Sequence, residues 1–152
     1  MSKPFIDSNV ILYLLSGDPS KADRAEAVIG EGGIVSVQVL NEVVSVCRRK
    51  LKMPWGEIEA LLLAVKSACD VLPLTVESHE RAVEIAKRCP LSFYDAHICA
   101  TAVLSGAAVL WSEDMQGEMV VDDVVIRNPF RIISPPAAAS PGFPAGRSAP
   151  AR

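Results

Sequence analysis

The order of segments in this chain predicts a three-layer α/β/α sandwich around a mostly parallel central sheet. Short apolar runs alternate with helix-length segments from one end to the other, the arrangement that puts parallel strands in the middle and helices on both faces. Half of the residues are hydrophobic and 22% are charged, which excludes a disordered chain and requires a compact core. At 152 residues and 16.2 kDa, that core belongs to a single domain.

Residues 4–6 read as the first strand, with a helix over 9–15 that Gly17, Asp18 and Pro19 break. Ser20 is the expected N-cap of the next helix, with Asp23 in the capping-box position, and the pair Gly32 and Gly33 closes that segment. Ile34 and Val35 form a brief strand. Ser36 then caps a helix over 37–51 whose apolar face carries Leu40, Val43, Val44, Cys47 and Leu51. Pro54 suits the first turn of a helix running to Cys69. A strand at 71–74 follows, then a helix capped by Thr75 or Ser78 and broken before Pro90. Ser92 opens a helix through Ser105, residues 108–111 make a buried strand, and one last strand is expected within 120–126. Ile132 and Ile133 close the expected domain, 1–133. Beyond them, 134–152 is a Pro/Ala-rich stretch with five prolines and almost no core-forming side chains, expected to be a flexible tail.

Composition narrows the function. The longest apolar runs fall well short of the roughly 20 residues that span a bilayer, and Pro4 and Asp7 interrupt any apolar leader pattern, so a cytoplasmic location is the expectation. Cys47, Cys69, Cys89 and Cys99 form no CxxC pair and no ligand spacing with His79 or His97, which points to reduced, buried thiols. A net charge of −3 and a pI near 5.4 argue against strong non-specific nucleic-acid binding. Bound divalent ions would reverse that balance locally.

Asp7, Glu42, Asp95 and Asp114 each lie in or beside an apolar segment. In an open parallel sheet, ligands collect at the carboxyl ends of the strands. Asp7 ends the first strand and Asp114 follows the strand ending at Trp111, while Asp95 and Glu42 lie near helix starts that can face the same edge. Carboxylates gathered away from water either take up protons or bind a cation. Oxygen ligands suit Mg2+ or Mn2+, and two such ions roughly 3.5–4 Å apart can activate water and stabilise the leaving oxygen of a phosphodiester. Each acid also has a structural reading. Asp7 can cap the following helix, Asp95 can serve as a capping-box acid, Glu42 can form a partly exposed salt bridge, and Asp114 can sit in a solvated turn.

The segments FIDSNV, VSVQVLNEV, LSFYDAHICATA and WSEDMQ, in this order and approximate spacing, resemble the PIN domain, in particular VapC-type toxins, over residues 1–133. The resemblance implies a Mg2+- or Mn2+-dependent endoribonuclease, a homodimer, and inhibition by a cognate antitoxin protein. It makes Asp7, Glu42, Asp95 and Asp114 the metal-binding catalytic acids, with Glu113 the competing fourth ligand. Asn9 and Ser112 take supporting roles, hydrogen-bonding to carboxylate or phosphate. The alternative is a PIN-like module that binds RNA or protein without cutting. A phosphoacceptor receiver domain fits less well, because FIDSNV has a single acid and AVLWSED has no Lys. His97 reads as a core or helix-surface histidine, and Trp55 and Trp111 as packing anchors. Arg48, Arg49, Lys50 and Lys52 read as a solvated helix end that can also receive RNA phosphates.

Overall fold

The computed structural model describes residues 2–115 and 117–131. Ile132, Ile133 and the tail at 134–152 lie outside them. Six strands form one sheet in the order β3-β2-β1-β4-β6-β5. β1 (Phe5–Ile6), β2 (Gly33–Ser36), β3 (Cys69–Leu72), β4 (Val109–Trp111) and β6 (Val124–Arg127) run parallel. β5 (Val120–Val121) is antiparallel at the edge. The chain steps outward from β1 to β2 to β3, then returns to lay β4 on the other side of β1. The topological switch therefore falls between β1 and β4, where Phe5 pairs with Leu110 and Ile6 with Trp111.

Six α-helices among the described residues flank the sheet: α1 (Ser8–Leu12), continued by a 3-10 turn at Tyr13–Leu15, α2 (Pro19–Gly30), α3 (Val37–Arg49), α4 (Trp55–Ala68), α5 (Val76–Arg88) and α6 (Phe93–Ser105). The expected three-layer architecture is the observed one. The core joins Phe5, Ile6, Val35 and Leu110 from the sheet to Val39, Val43, Ile58, Ile85 and Ile98 from the helices. α6 is buried without a break from Ala96 to Ala102, because alanines at 96, 100 and 102 let its backbone lie close to its neighbours. Cys47, Cys69 and Cys99 are buried and Cys89 half-buried, all as free thiols.

Several local expectations shift. The cap of α2 is Asp18, whose carboxylate accepts from Ser20 N at 3.0 Å, not Ser20. Pro19 then holds the first helical position, where its missing N–H costs nothing. Both Thr75 and Ser78 cap α5, reciprocally, through Ser78 N to Thr75 Oγ1 at 2.9 Å and Thr75 N to Ser78 Oγ at 3.0 Å. β3 lies two residues earlier than expected, since Pro73 lacks the N–H that would extend the ladder. Leu51 falls beyond the end of α3 and is 48% exposed, so it does not share the face of Val43 and Cys47. Trp55 is 55% exposed beneath the Arg48 guanidinium rather than a packing anchor, whereas Trp111 is half-buried in β4. The single strand expected at 120–126 is a hairpin. Asp122, at φ 52°, turns the chain in the left-handed region that Asp tolerates, and Arg88 holds its carboxylate at 2.8 Å.

Gly33 sets the distance between β1 and β2. A Cβ there would lie 2.6 Å from Ile6 Cδ1 and 3.0 Å from the Pro4 carbonyl, the same carbonyl that accepts from Ile34 N at 2.9 Å. Because Ile6 is fully buried, neither neighbour has room to yield. Gly33→Ala is expected to destabilise the fold by about 1–3 kcal/mol. Gly30→Ala, at a position with nothing within 4 Å, should be neutral or slightly stabilising. Urea titration of the two variants checks this, and equal midpoints would contradict the close approach.

Candidate active site

Asp7 leaves β1 at its carboxyl end, with its amide donating to Trp111 O at 3.0 Å as the last rung between β1 and β4. It is also the N-cap of α1, so the capping role expected of it and its place among the acids coexist. The carboxylate is 3% exposed and surrounded by donors. Oδ1 accepts from Ser8 N at 2.7 Å, and Oδ2 accepts from Ser112 Oγ at 2.8 Å and Asn9 Nδ2 at 3.2 Å.

Ser112, fully buried just past β4, has its hydrogen-bonding capacity filled. Its proton goes to Asp7, and its oxygen receives Asn9 Nδ2 and Met115 N, both at 3.3 Å. Asn9 Oδ1 in turn accepts from Glu113 N at 3.0 Å, which ties the loop after β4 to the start of α1. The residues expected to support the site, Asn9 and Ser112, are thus in direct contact with Asp7.

Glu42 lies half-buried on α3, where the packing of α1 against α3 brings it to the same edge. Ser8 Oγ donates to its Oε1 at 2.8 Å and Gln38 Nε2 to its Oε2 at 3.0 Å. Asp95, half-buried in the first turn of α6, has its backbone N–H bonded to the capping Ser92 Oγ at 3.1 Å. Asp114 is exposed in the loop after β4 and lines a cleft of about 350 Å³ together with Ser8, Glu42, Arg49 and Lys50. Glu113, by contrast, is tied by side chains: Tyr13 Oη donates to it at 2.5 Å and Lys21 Nζ at 3.3 Å.

The acids feel one another. Burial raises Asp7 from the ordinary 3.8 to about 7, with the charges of Glu42 and Asp95 adding to the shift and the bonds from Ser112 and Ser8 opposing it. Burial likewise raises Asp95, followed by the charge of Glu42 and, more weakly, that of Asp114, against an opposing contribution from Ser92. Burial, then the charges of Asp7 and Asp95, push the Cys99 thiol up to about 12, so it is no nucleophile at neutral pH. Among the described residues, no Lys, Arg or His forms an ion pair with any of the four acids.

The donor set fits a hard divalent cation in chemistry and in charge, since every candidate ligand is an oxygen and the repulsion is of the sign a cation relieves. Among the described residues, no three His, Cys, Asp or Glu side chains are grouped as a metal site. Glu42 is held by Gln38 and by Ser8, whose hydroxyl also lies 3.4 Å from Asp7 Oδ1 and so links the two acids. His97 takes no part. It is a core histidine bonded through Nε2 to Ser78 Oγ at 2.9 Å, and burial lowers its pKa.

Four residues escaped the sequence reading. Ser8 and Gln38 sit one residue after Asp7 and one helical turn before Glu42, a spacing that offered a signal for both. Tyr13 and Lys21 reach Glu113 across about a hundred residues, for which the sequence carries no signal.

An acid-lined crevice at the β1/β4 switch of an α/β/α sandwich defines the class. The PIN domain family model matches residues 5–118, and the chain belongs to that family. No curated protein matches it. Among solved structures, a toxin–antitoxin complex from Klebsiella pneumoniae is similar at TM-score 0.65 and 22% identity, covering 85% of this chain and 99% of that one. DNA-bound VapBC from Salmonella typhimurium gives TM-score 0.64 at 17% identity, covering 85% and 99%. Mycobacterium tuberculosis VapC20, a sarcin-ricin loop cleaving toxin, gives 0.56 at 19%, covering 72% and 88%. At these identities the likeness establishes the fold.

The elevated pKa of Asp7 has a sign. Folded protein holds a proton on this carboxyl that unfolded chain releases near pH 4, so the associated stability is present below that pH and is lost as pH rises through about 7. In EDTA, the melting temperature of the wild-type chain relative to Asp7→Asn is expected to fall by about 5 °C or more between pH 5 and pH 8. His97 contributes an opposite slope, but it is common to both chains and cancels in the difference. Parallel melting curves across that range would contradict the burial cost assigned to Asp7.

Proposed function

We propose that this protein is a Mg2+- or Mn2+-dependent endoribonuclease, the toxin of a toxin–antitoxin pair, acting in the cytoplasm. One observation carries the reading: a buried, fully hydrogen-bonded Asp7 at the switch point, electrostatically linked to Glu42 and Asp95, with Asp114 coupled to Asp95 in turn. A carboxylate in that position is costly unless a cation offsets it. Membership in the PIN family and likeness to toxin structures support the same conclusion. Free thiols suit a reducing compartment, and no helix among the described residues is long and apolar enough to cross a membrane.

Asp7, Glu42, Asp95 and Asp114 would hold the ion, which when bound supplies polarisation of the phosphodiester and a lowered pKa for the attacking water. Ser112 and Asn9 hold the Asp7 carboxylate in one orientation, and Ser8 and Gln38 do the same for Glu42, so little reorganisation is needed at those two acids. Asp114, exposed in the loop after β4, is the acid that would move most to join them. Arg49 and Lys50, in the cleft with Glu42 and Asp114, place positive charge where RNA phosphates approach an otherwise acidic surface. Glu113, neutralised by Lys21, anchors the loop that carries Asp114.

Asp7→Asn or Asp95→Asn is expected to reduce Mn2+-dependent cleavage of RNA by at least about a hundredfold while leaving the chelated protein as stable as before or more so, because one repelling charge is gone. Cleavage and melting measured on the same samples check this. Undiminished cutting by both variants would sink the assignment, and a wild-type chain that binds RNA without cutting would favour the non-catalytic module.

Several of the similar structures are toxin–antitoxin complexes, which supports an antitoxin protein as partner; the homodimer rests on the family resemblance alone. The domain is proposed to end by residue 133, since the family match stops at 118 and the last strand among the described residues ends at Arg127. A chain ending at 133 should melt within about 2 °C of the full chain, retain cleavage, and show by light scattering the mass of two chains. A drop of several degrees would place the tail in the fold, and a monomer that still cuts RNA would remove the dimer.

A further inference from the structure

One cleft near the acids remains without a task. It has a volume of about 220 Å³ and is lined by Gln38, Leu74, His79, Phe93, Tyr94 and His97, with Thr75 at its rim. That is smaller than the roughly 300–1,000 Å³ typical of a drug- or cofactor-sized pocket, and the size suits a single planar group. Its lining is aromatic and polar but carries no Lys, Arg, Asp or Glu among the described residues. Phe93 is 39% exposed and Tyr94 64% exposed. The Phe93 ring meets His79 edge-on at 5.6 Å and Tyr94 at 6.1 Å, and lies over His97 at 6.5 Å with 21° between planes.

The cleft adjoins the acids in two ways. Phe93 and Tyr94 immediately precede Asp95 on α6. Gln38, which lines the cleft, donates its amide N–H to Glu42 at 3.0 Å. Along α3, Gln38, Glu42, Val46 and Arg49 recur at the spacing of one helix face. The aromatic cleft therefore lies at the N-terminal end of that face, the acid in its middle, and the basic cleft of Arg49 and Lys50 at its other end.

We propose that the Gln38–His79–Phe93 cleft is a nucleobase subsite, taking one unpaired base of single-stranded RNA next to the phosphate held over the acids. The inference rests on the ribonuclease reading and adds to it the form of substrate. An aromatic pocket without Lys or Arg gives little purchase to a phosphate, which the basic end of α3 takes instead. A base has a π-face for Phe93 and polar edges for the Gln38 amide and the His79 ring, the mode by which unpaired RNA bases are commonly held. Base-paired RNA cannot present a base to such a pocket without first being unpaired.

The test uses the full chain with a fluorescein-labelled single-stranded RNA hexamer and its abasic counterpart. Binding is read by anisotropy in Ca2+, and cleavage of unlabelled single-stranded RNA is followed in Mn2+. Phe93→Ala is expected to weaken hexamer binding about tenfold or more, to raise KM more than it lowers kcat, and to leave abasic binding unchanged. Phe93→Tyr, which keeps the ring, should behave as wild type, and because the side chain is partly exposed both variants should melt normally. Equal weakening toward both oligomers, no weakening, or a change of mass in light scattering on Phe93→Ala would overturn the subsite, the last by assigning the cleft to a contact between protein copies. A wild-type chain that binds the base-bearing hexamer through Phe93 but never cuts would overturn the ribonuclease reading alone. Full cleavage by Phe93→Ala would overturn the subsite alone, and a wild-type chain that neither binds nor cuts RNA would overturn both.

Discussion

The site depends on one hydrogen bond, from Ser112 Oγ to the buried Asp7 carboxylate at 2.8 Å across the gap between β1 and β4. Those strands are distant in sequence and adjacent in space only because the chain reverses its direction of travel through the sheet after β3. Asp7 needs donors, since a carboxylate removed from water is costly to keep charged. The donors come from both sides of the reversal, Ser8 and Asn9 from the α1 side and Ser112 from the β4 side. Completing the parallel sheet and assembling the carboxylate cage are the same event.

That coupling makes the edge specific at some cost in stability. The cage satisfies the oxygens of Asp7 yet leaves its pKa raised, because hydrogen bonds replace lost hydration only in part while Glu42 and Asp95 add repulsion. A fold selected for stability alone would place Asn or a hydrophobic residue there. Keeping several acids at one edge, with no partner cation among the described residues, is the local conflict expected where function overrides packing.

Alternation of strands and helices made the α/β/α architecture legible, and hydroxyl or acid residues marked most helix starts, as at Ser36, Thr75 and Ser92. Edges and ends were less legible. Asp18 outranked Ser20 because Pro19 fixed the entry to α2, and the β5–β6 turn rests on a left-handed Asp122 held by Arg81 and Arg88, partners from a distant helix. At the site, the positions of Asp7, Asp95 and Glu42 followed from strand ends and helix starts. What the sequence did not disclose was the division between Glu113 and Asp114. Two adjacent acids are equivalent as letters, and only the tertiary contacts of Tyr13 and Lys21 separate them.

That separation is itself informative about how the loop after β4 works. Glu113 donates its backbone N–H to Asn9, and its carboxylate is tied to Tyr13 and Lys21, whose ammonium also lies 4.7 Å from the Tyr13 ring. Ser112 before it is fixed by Asp7 and Asn9, and Met115 after it is buried against Cys99 at 3.8 Å. Among the described residues, Asp114 is therefore the member of the loop whose side chain has no bonded partner, between neighbours that are fixed. Its backbone is confined while its carboxylate stays exposed toward the cleft it shares with Glu42. A side chain held in that way can change rotamer without the loop having to refold, whereas the Asp7 carboxylate is buried and bonded at both oxygens. The loop after β4 thus presents one exposed carboxylate from a confined backbone, beside the β1/β4 switch where the buried carboxylate of Asp7 has both oxygens already engaged.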